Sequence, residues 1–420
     1  MHPSLLTSLF VTFVLASTLT RLWLDSRQAR HVARHRAAVP AAFAADVTLH
    51  SHQRAADYTL DKLRFGVFGT AIGAAVLLGW TLLGGLDTLN VAVREATLNH
   101  FGPLGYQLAL LGAFSLVSGL IDLPLSAWST FRIEQRHGFN RMRWGMWVGD
   151  QIKGAVVGVV IGAPIAALIL WLMGAAGPQW WLWAWGAWVA FSLLLMVVFP
   201  IFIAPLFNKF EPLQDTALAE RVQSLMQRCG FRAKGFFVMD GSRRSAHANA
   251  YFTGLGAAKR VVFFDTLLSK LSHGEVEAVL AHELGHFKHK HVLKRMIMMF
   301  GMSLLAFALL GWLSRQAGFF LGLGVSPNLM APNDALALLL LMLALPPVAF
   351  FIAPLMSWFS RKDEYEADAY ACAQSNGQDL ARALVKLYKD NSSTLTPDPL
   401  YAGFYYSHPP ASERLAAMTR

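Results

Sequence analysis

The sequence predicts an all-α integral membrane protein of seven transmembrane helices, with a small α+β lobe on the cytosolic side. Three observations carry that prediction. Of 420 residues, 55% are hydrophobic and only 15% are charged, and the mean hydropathy is +0.41. Apolar runs recur that are long enough to cross about 30 Å of hydrocarbon, which takes about 20 helical residues. Basic residues crowd into alternate connecting loops, the pattern of a multipass protein whose positive loops stay inside.

The runs fall near residues 4–24, 65–86, 104–125, 154–176, 180–204, 295–318 and 335–358. The first lacks a basic leading region and a small-residue cleavage site, so it is expected to stay as an anchor. After it come Arg27, Arg30, Arg34, Arg36, Arg54, Lys62 and Arg64; after the third run come Arg132, Arg136, Arg141, Arg143 and Lys153. The loops after the second, fourth and sixth runs hold almost no basic residues. This alternation puts the N-terminus outside and the C-terminus in the cytosol. Asp122, Glu134 and Asp150 are costly in lipid and are expected to face water or one another. Pro346-Pro347 should kink the seventh span.

A net charge of +10 would suggest nucleic acid in a soluble protein. Here basic loops that hold the topology and face anionic headgroups account for it, so the expected partner is the lipid bilayer and not nucleic acid. Cys229 and Cys372 show no metal spacing and read as free thiols.

The chain divides into four regions. Residues 1–205 form an N-terminal membrane region with five spans, and 206–290 a soluble lobe. Residues 291–358 hold spans six and seven, and 359–420 a second, mostly helical soluble segment. Within the lobe, 213–229 reads as an amphipathic helix and 235–240 as a strand. Asn249-Ala250-Tyr251-Phe252 and Arg260–Phe264, on either side of Gly254-Leu255-Gly256, read as a hairpin. A helix over about 273–290 follows.

That helix carries His282-Glu283-Leu284-Gly285-His286, an HExxH motif. Residues four apart share a helix face, so His282 and His286 can present two imidazole nitrogens to one ion. Glu283 is then placed to take a proton from a metal-bound water, whose pKa zinc lowers to about 7. Two surface histidines would give the same pentapeptide. The amphipathic run before the motif, and the small Ala281 and Gly285 within it, favour a packed site. His289 and His291 follow closely and offer another ligand set; His289 lies a further turn along and reads as an outer or solvated residue.

A catalytic zinc takes three protein ligands and keeps a fourth position open. The extended motif HExxHxxGxxH would supply the third, but its Gly position is His289 and its last His position is Val292. No downstream Asp-Gly element of the intramembrane type appears. Glu364 and Asp368, one helical turn apart just past the seventh span, provide one carboxylate for the ion and one to orient a histidine. Glu366 competes with Glu364 for the ion.

With these elements in place, the chain resembles the type I CAAX prenyl endopeptidases, integral-membrane zinc proteases of the gluzincin group. The resemblance rests on Phe131–Glu134 with Gly138-Phe139-Asn140, Ile203–Phe210, His247–Phe252, the HExxH motif, Glu364–Asp368, and Tyr406–Pro410 with Glu413-Arg414-Leu415. It implies one zinc per chain on His282, His286 and Glu364, Glu283 as general base and later proton donor, and Asp368 behind a ligand histidine. It also implies that Asn249, Ala250 and Tyr251 hold an extended substrate as an added strand, and that His408 donates to the oxyanion. Arg414 steadies a site carboxylate or anchors the tail. The implied fold is seven helices around a water-filled chamber capped by a zinc-protease lobe. The implied reaction is endopeptidase cleavage of peptide or protein substrates, membrane-associated or lipidated.

A broad protease clearing damaged membrane proteins would use the same site. A transporter or non-catalytic metal-binding chamber is the alternative of another class, and an intact Glu283 argues against it. The Ala/Gly/Arg-rich composition points to a bacterial inner membrane rather than the endoplasmic reticulum.

Overall fold

A computed structural model describes residues 2–231, 235–253 and 260–418. Five long helices lead: Pro3–His35 (α1), Leu49–Trp80 (α2), Gly85–Trp128 (α3), Trp144–Ala175 (α4) and Trp180–Val198 (α5). Helix α3 is two helices joined at Gly102, whose φ of 70° and ψ of −176° suit only glycine. Pro103 then restarts the helix, where its missing N–H costs nothing.

The lobe follows, with strands Phe210–Pro212 (β1), Phe236–Met239 (β2), Ala250–Thr253 (β3) and Arg260–Phe264 (β4), and helices Thr216–Arg228 (α6) and His273–Lys288 (α7). The sheet order is β1-β2-β4-β3. Strands β3 and β4 pair antiparallel as the expected hairpin, with Tyr251 opposite Val262; the Gly254-Leu255-Gly256 turn lies outside the described residues. Strand β2 pairs parallel to β4, and β1 antiparallel to β2. Strand β1 is too short to leave an alternating pattern in the sequence.

Helix His291–Leu313 (α8) re-enters the membrane region. Helices Asp334–Ala349 (α9) and Ala353–Gln374 (α10) follow, bent by 66° at the break between them, with the carboxylates of α10 beyond its apolar start. The bend falls a few residues beyond Pro346-Pro347: the prolines remove two helical N–H donors, and the helix breaks fully at Phe350–Ile352, before Pro354 starts the next. Helices Gly377–Asp390 (α11), Pro399–Tyr405 (α12) and Ala411–Met418 (α13) complete the tail.

Among the described residues six helices are long and apolar enough to cross a membrane, and seven if the bent pair is one span. The most apolar stretch of each of those six is only 6–17% buried. One packed stripe would cover roughly 30% of a helix, so the spans touch along narrow seams. An apolar core including Tyr106, Leu110, Leu170, Leu310, Phe319 and Leu336 ties the spans together.

The basic loops meet the lobe directly. Arg244 pairs with Asp150 through two bonds of 2.9 and 3.1 Å. Glu134 accepts from Tyr58 at 2.6 Å and lies 3.4 Å from His247 Nε2, so two of the three acidic groups near the spans face protein partners. Arg27 on α1 holds Asp398 at 2.9 Å, and Phe43 and Val47 of the first loop share a small core with Leu384 and Leu395. The loops after the first and third spans therefore share the lobe's side of the membrane.

Candidate metal centre

Helix α7 begins with a reciprocal cap: the Ser272 side chain accepts from Glu275 N–H and the Glu275 carboxylate accepts from Ser272 N–H. Lys386 on α11 adds a 2.7 Å bond to Glu275. One apolar core joins the helix to the sheet, with Val276, Ala281 and Leu284 packed among Val261 and Phe263 of β4. Helix α10 packs on α7 more extensively than any other pair of elements touch. The crossing is close because Gly285 has no side chain: a Cβ there would meet Ala367 Cα at 2.9 Å. Glu364 and Asp368 flank Ala367 by three residues and one, so the crossing presses both carboxylates onto the motif histidines.

His282 Nε2 and His286 Nε2 lie 3.3 Å apart. Glu364 reaches the first with Oε2 at 3.4 Å and the second with Oε1 at 3.4 Å. A tetrahedral centre with bonds of about 2.0–2.1 Å separates its ligand atoms by about 3.3–3.4 Å, so the spacing fits one cation. Glu364 Oε2 is also buried without a hydrogen-bond partner, an arrangement that a protein tolerates at a ligand position and rarely elsewhere. This trio is the group able to hold a metal ion among the described residues.

Each histidine is oriented from behind. His282 Nδ1 lies 2.8 Å from Asp368 Oδ1, which places its proton on Nδ1 and frees the Nε2 lone pair. Asp368 in turn takes two bonds from Arg414, at 2.8 and 2.6 Å. His286 Nδ1 lies 3.0 Å from His291 Nδ1, and His291 Nε2 lies 3.0 Å from Glu366. Protons on His286 Nδ1 and His291 Nε2 satisfy both contacts and leave His286 Nε2 free.

Electrostatics agree with these partners. Burial works against the Glu364 charge, but the two histidines hold its carboxyl far below the usual range. Burial raises the Glu283 carboxyl, opposed by both histidines, and Glu283 makes no hydrogen bond to protein among the described residues. His408 Nε2 stands 3.4 Å from Glu364 Oε1, with Ser407 Oγ 3.0 Å from its Nδ1. Desolvation beside the cluster lowers its pKa, opposed by the Glu364 carboxylate.

The structure thus brings His282, His286, Glu364, Asp368, His408 and Arg414 together. Glu366 turns to His291 and away from the cluster, and His289 stacks on His291 with ring centroids 5.6 Å apart. Asn249 leads into β3, an edge strand because among the described residues only β4 pairs with it. Phe264 N–H bonds Asn249 C=O at 3.1 Å, so by antiparallel alternation Ala250 and Phe252 turn main-chain groups to the open edge. Tyr251 faces β4. The role of His291 was not visible in the sequence because Lys290, in the left-handed region at φ 58°, breaks the helical projection.

Fold and donor set together define an integral-membrane metallopeptidase. Residues 28–209 match the family model described as CAAX prenyl protease N-terminal, five membrane helices, and residues 212–420 match that of peptidase family M48. The chain therefore belongs to peptidase family M48, in its CAAX prenyl protease branch. CAAX prenyl protease 1 of Saccharomyces cerevisiae is 34% identical, over 99% of this chain and 96% of the yeast protein. The CAAX prenyl protease 1 homolog of Homo sapiens is 32% identical over 86% of this chain and 84% of its own. The crystal structure of S. mikatae Ste24p superposes with a TM-score of 0.91 at 32% identity, covering 98% of each chain.

Proposed function

We propose that the metal is zinc and that the enzyme cleaves prenylated CAAX-type polypeptides at the lobe side of the membrane. The observation that carries the zinc assignment is the His282–His286–Glu364 spacing with both histidines oriented through Nδ1. Two imidazoles, one carboxylate and an open fourth position are the donor set of a catalytic zinc. When bound, zinc supplies Lewis acidity for activating water and polarising a carbonyl.

The chain's own residues do the rest. Ala250 and Phe252 hold an extended substrate by its main chain, which fixes the scissile bond while tolerating varied side chains. Glu283, its carboxyl raised by burial, accepts the proton of the attacking water and returns it to the leaving nitrogen. His408 donates a ring N–H to the oxyanion, a charge that exists only in the transition state. Asp368 and Arg414 keep His282 in its working tautomer. The basic loops support an N-terminus outside and a cytosolic lobe, and the four regions of the chain act as one enzyme.

The test is cleavage of a farnesylated CAAX peptide and its unprenylated twin by detergent-purified protein, with metal analysis. Cleavage that prefers the farnesylated peptide, is abolished by a chelator and restored by zinc is expected. Glu283→Gln should keep the metal and lose about 10²–10⁴ in rate. Full activity in that variant with zinc bound would refute the mechanism, and equal cleavage of both peptides would refute the substrate.

A further inference from the structure

Where α2 meets the end of α3, two recesses open on the lobe side of the membrane and share Asp61, Arg64 and Arg136. The outer one, about 540 Å³, is walled by Arg36, Arg54, Arg64 and Arg136 with Asp57 and Asp61. The inner one, about 590 Å³, runs between the helices over Phe65, Phe68, Leu125 and Trp128, with Arg132 at its rim. A polar mouth thus continues into an apolar cleft.

The mouth holds positive charge in excess. Five arginines face two carboxylates across the joined recess. Arg36 is matched by Asp57 through two bonds of 2.8 Å, and Arg136 by Asp61 at 3.0 Å. Arg54 donates to the His137 carbonyl at 2.6 Å. Arg64 touches Asp61 only at 3.7 Å and is 79% exposed. Arg132 is exposed and has no hydrogen bond or ion pair among the described residues. Next to it, Phe131 stacks on Trp144 at 3.8 Å, and the amphipathic indole of tryptophan marks the headgroup level of a bilayer.

We propose that the joined recess binds one anionic phospholipid, its phosphodiester at Arg64, Arg132 and Arg136 and one acyl chain in the cleft between α2 and α3. Basic pockets between spans suit such headgroups, and the forked guanidinium matches phosphate oxygens. A free phosphate would leave the apolar cleft without a partner. A zwitterionic lipid would bring its ammonium group to an already positive mouth. An isoprenyl chain alone would leave the arginines unmatched.

The experiment uses full-length protein, stripped of lipid in neutral detergent and titrated with phosphatidylglycerol bearing a brominated acyl chain. The same-chain phosphatidylcholine and inorganic phosphate form the other arms. Trp128 reports the acyl chain, read as the fluorescence quenching that wild type shows and Trp128→Phe lacks. Phosphatidylglycerol is expected to quench with a midpoint at least tenfold lower than phosphatidylcholine, and millimolar phosphate should not shift it. Arg64→Gln with Arg132→Gln should raise that midpoint at least fivefold; neither side chain holds the fold together, and unchanged metal content verifies this. Equal midpoints for the two lipids, displacement of the lipid by phosphate, quenching independent of Trp128, or an unshifted double variant would each overturn the proposal.

Discussion

Gly285 and Ala367 mark the crossing of α7 and α10, where a single added methyl group would come within 2.9 Å of the Ala367 backbone. The neighbouring helix cannot yield locally, since the two nearest atoms, Ala367 Cα and its carbonyl oxygen, are main chain. Gly285→Ala should therefore separate the helices and weaken metal binding more than tenfold, with an overpacking cost of about 1–3 kcal/mol. Metal content after dialysis, alongside thermal unfolding of the same sample, checks this. A variant with wild-type metal content would show that the crossing does not set the ligand spacing.

The Arg414–Asp368 pair is buried, with side-chain exposures of 8% and 3%. Removing one member strands the other charge, which costs about 3–5 kcal/mol. Arg414→Met should lower thermal stability accordingly, whereas Arg414→Met combined with Asp368→Asn should regain much of it. Peptidase activity should stay low in both. If the double variant is as unstable as the sum of the singles, charge balance is not what the pair provides.

In the metal-free protein, burial opposes a charge on His282, but the Asp368 and Glu364 carboxylates outweigh it and raise its pKa to about 9. The imidazole then carries a proton at neutral pH that an incoming cation must displace. Metal affinity should rise with pH by about tenfold per unit and level off near pH 9, and it should fall as the medium is acidified. Competition with a chelating dye across that range reads the slope directly, and a flat profile would contradict it.

His408 tests the oxyanion role. His408→Ala should retain the metal and KM while kcat falls by about 10²–10³. A change confined to KM would reassign His408 to substrate binding.

Much of this architecture was legible before any coordinates. Long apolar runs and alternating arginines located the spans, because lipid imposes length and charge rules that leave a plain trace. His282 and His286 followed from helical spacing, whereas spacing left Glu364 and Glu366 in competition and only the family resemblance favoured Glu364. What stayed hidden depended on tertiary geometry. On a continuous helix His291 would sit about 140° from His286, yet the left-handed Lys290 turns it back to 3.0 Å. The same turn settles Glu366, which in one dimension competes with Glu364 and in three serves His291. Strand β1 left no periodic signature, and the exact bend in the seventh span depended on where two prolines let the helix fail.

The centre draws on three stretches far apart along the chain: the motif on α7, the carboxylates on α10, and His408 with Arg414 beyond α12. During synthesis these emerge one after another. On the proposed ligand set, a nascent chain extended only through α7 holds two donor nitrogens and no third ligand, and one extended through α10 still lacks Arg414, the cation that balances Asp368. The blade of this protease is therefore assembled last, after all its membrane helices have left the ribosome. A chain still being inserted has no working edge to turn on itself or on its neighbours.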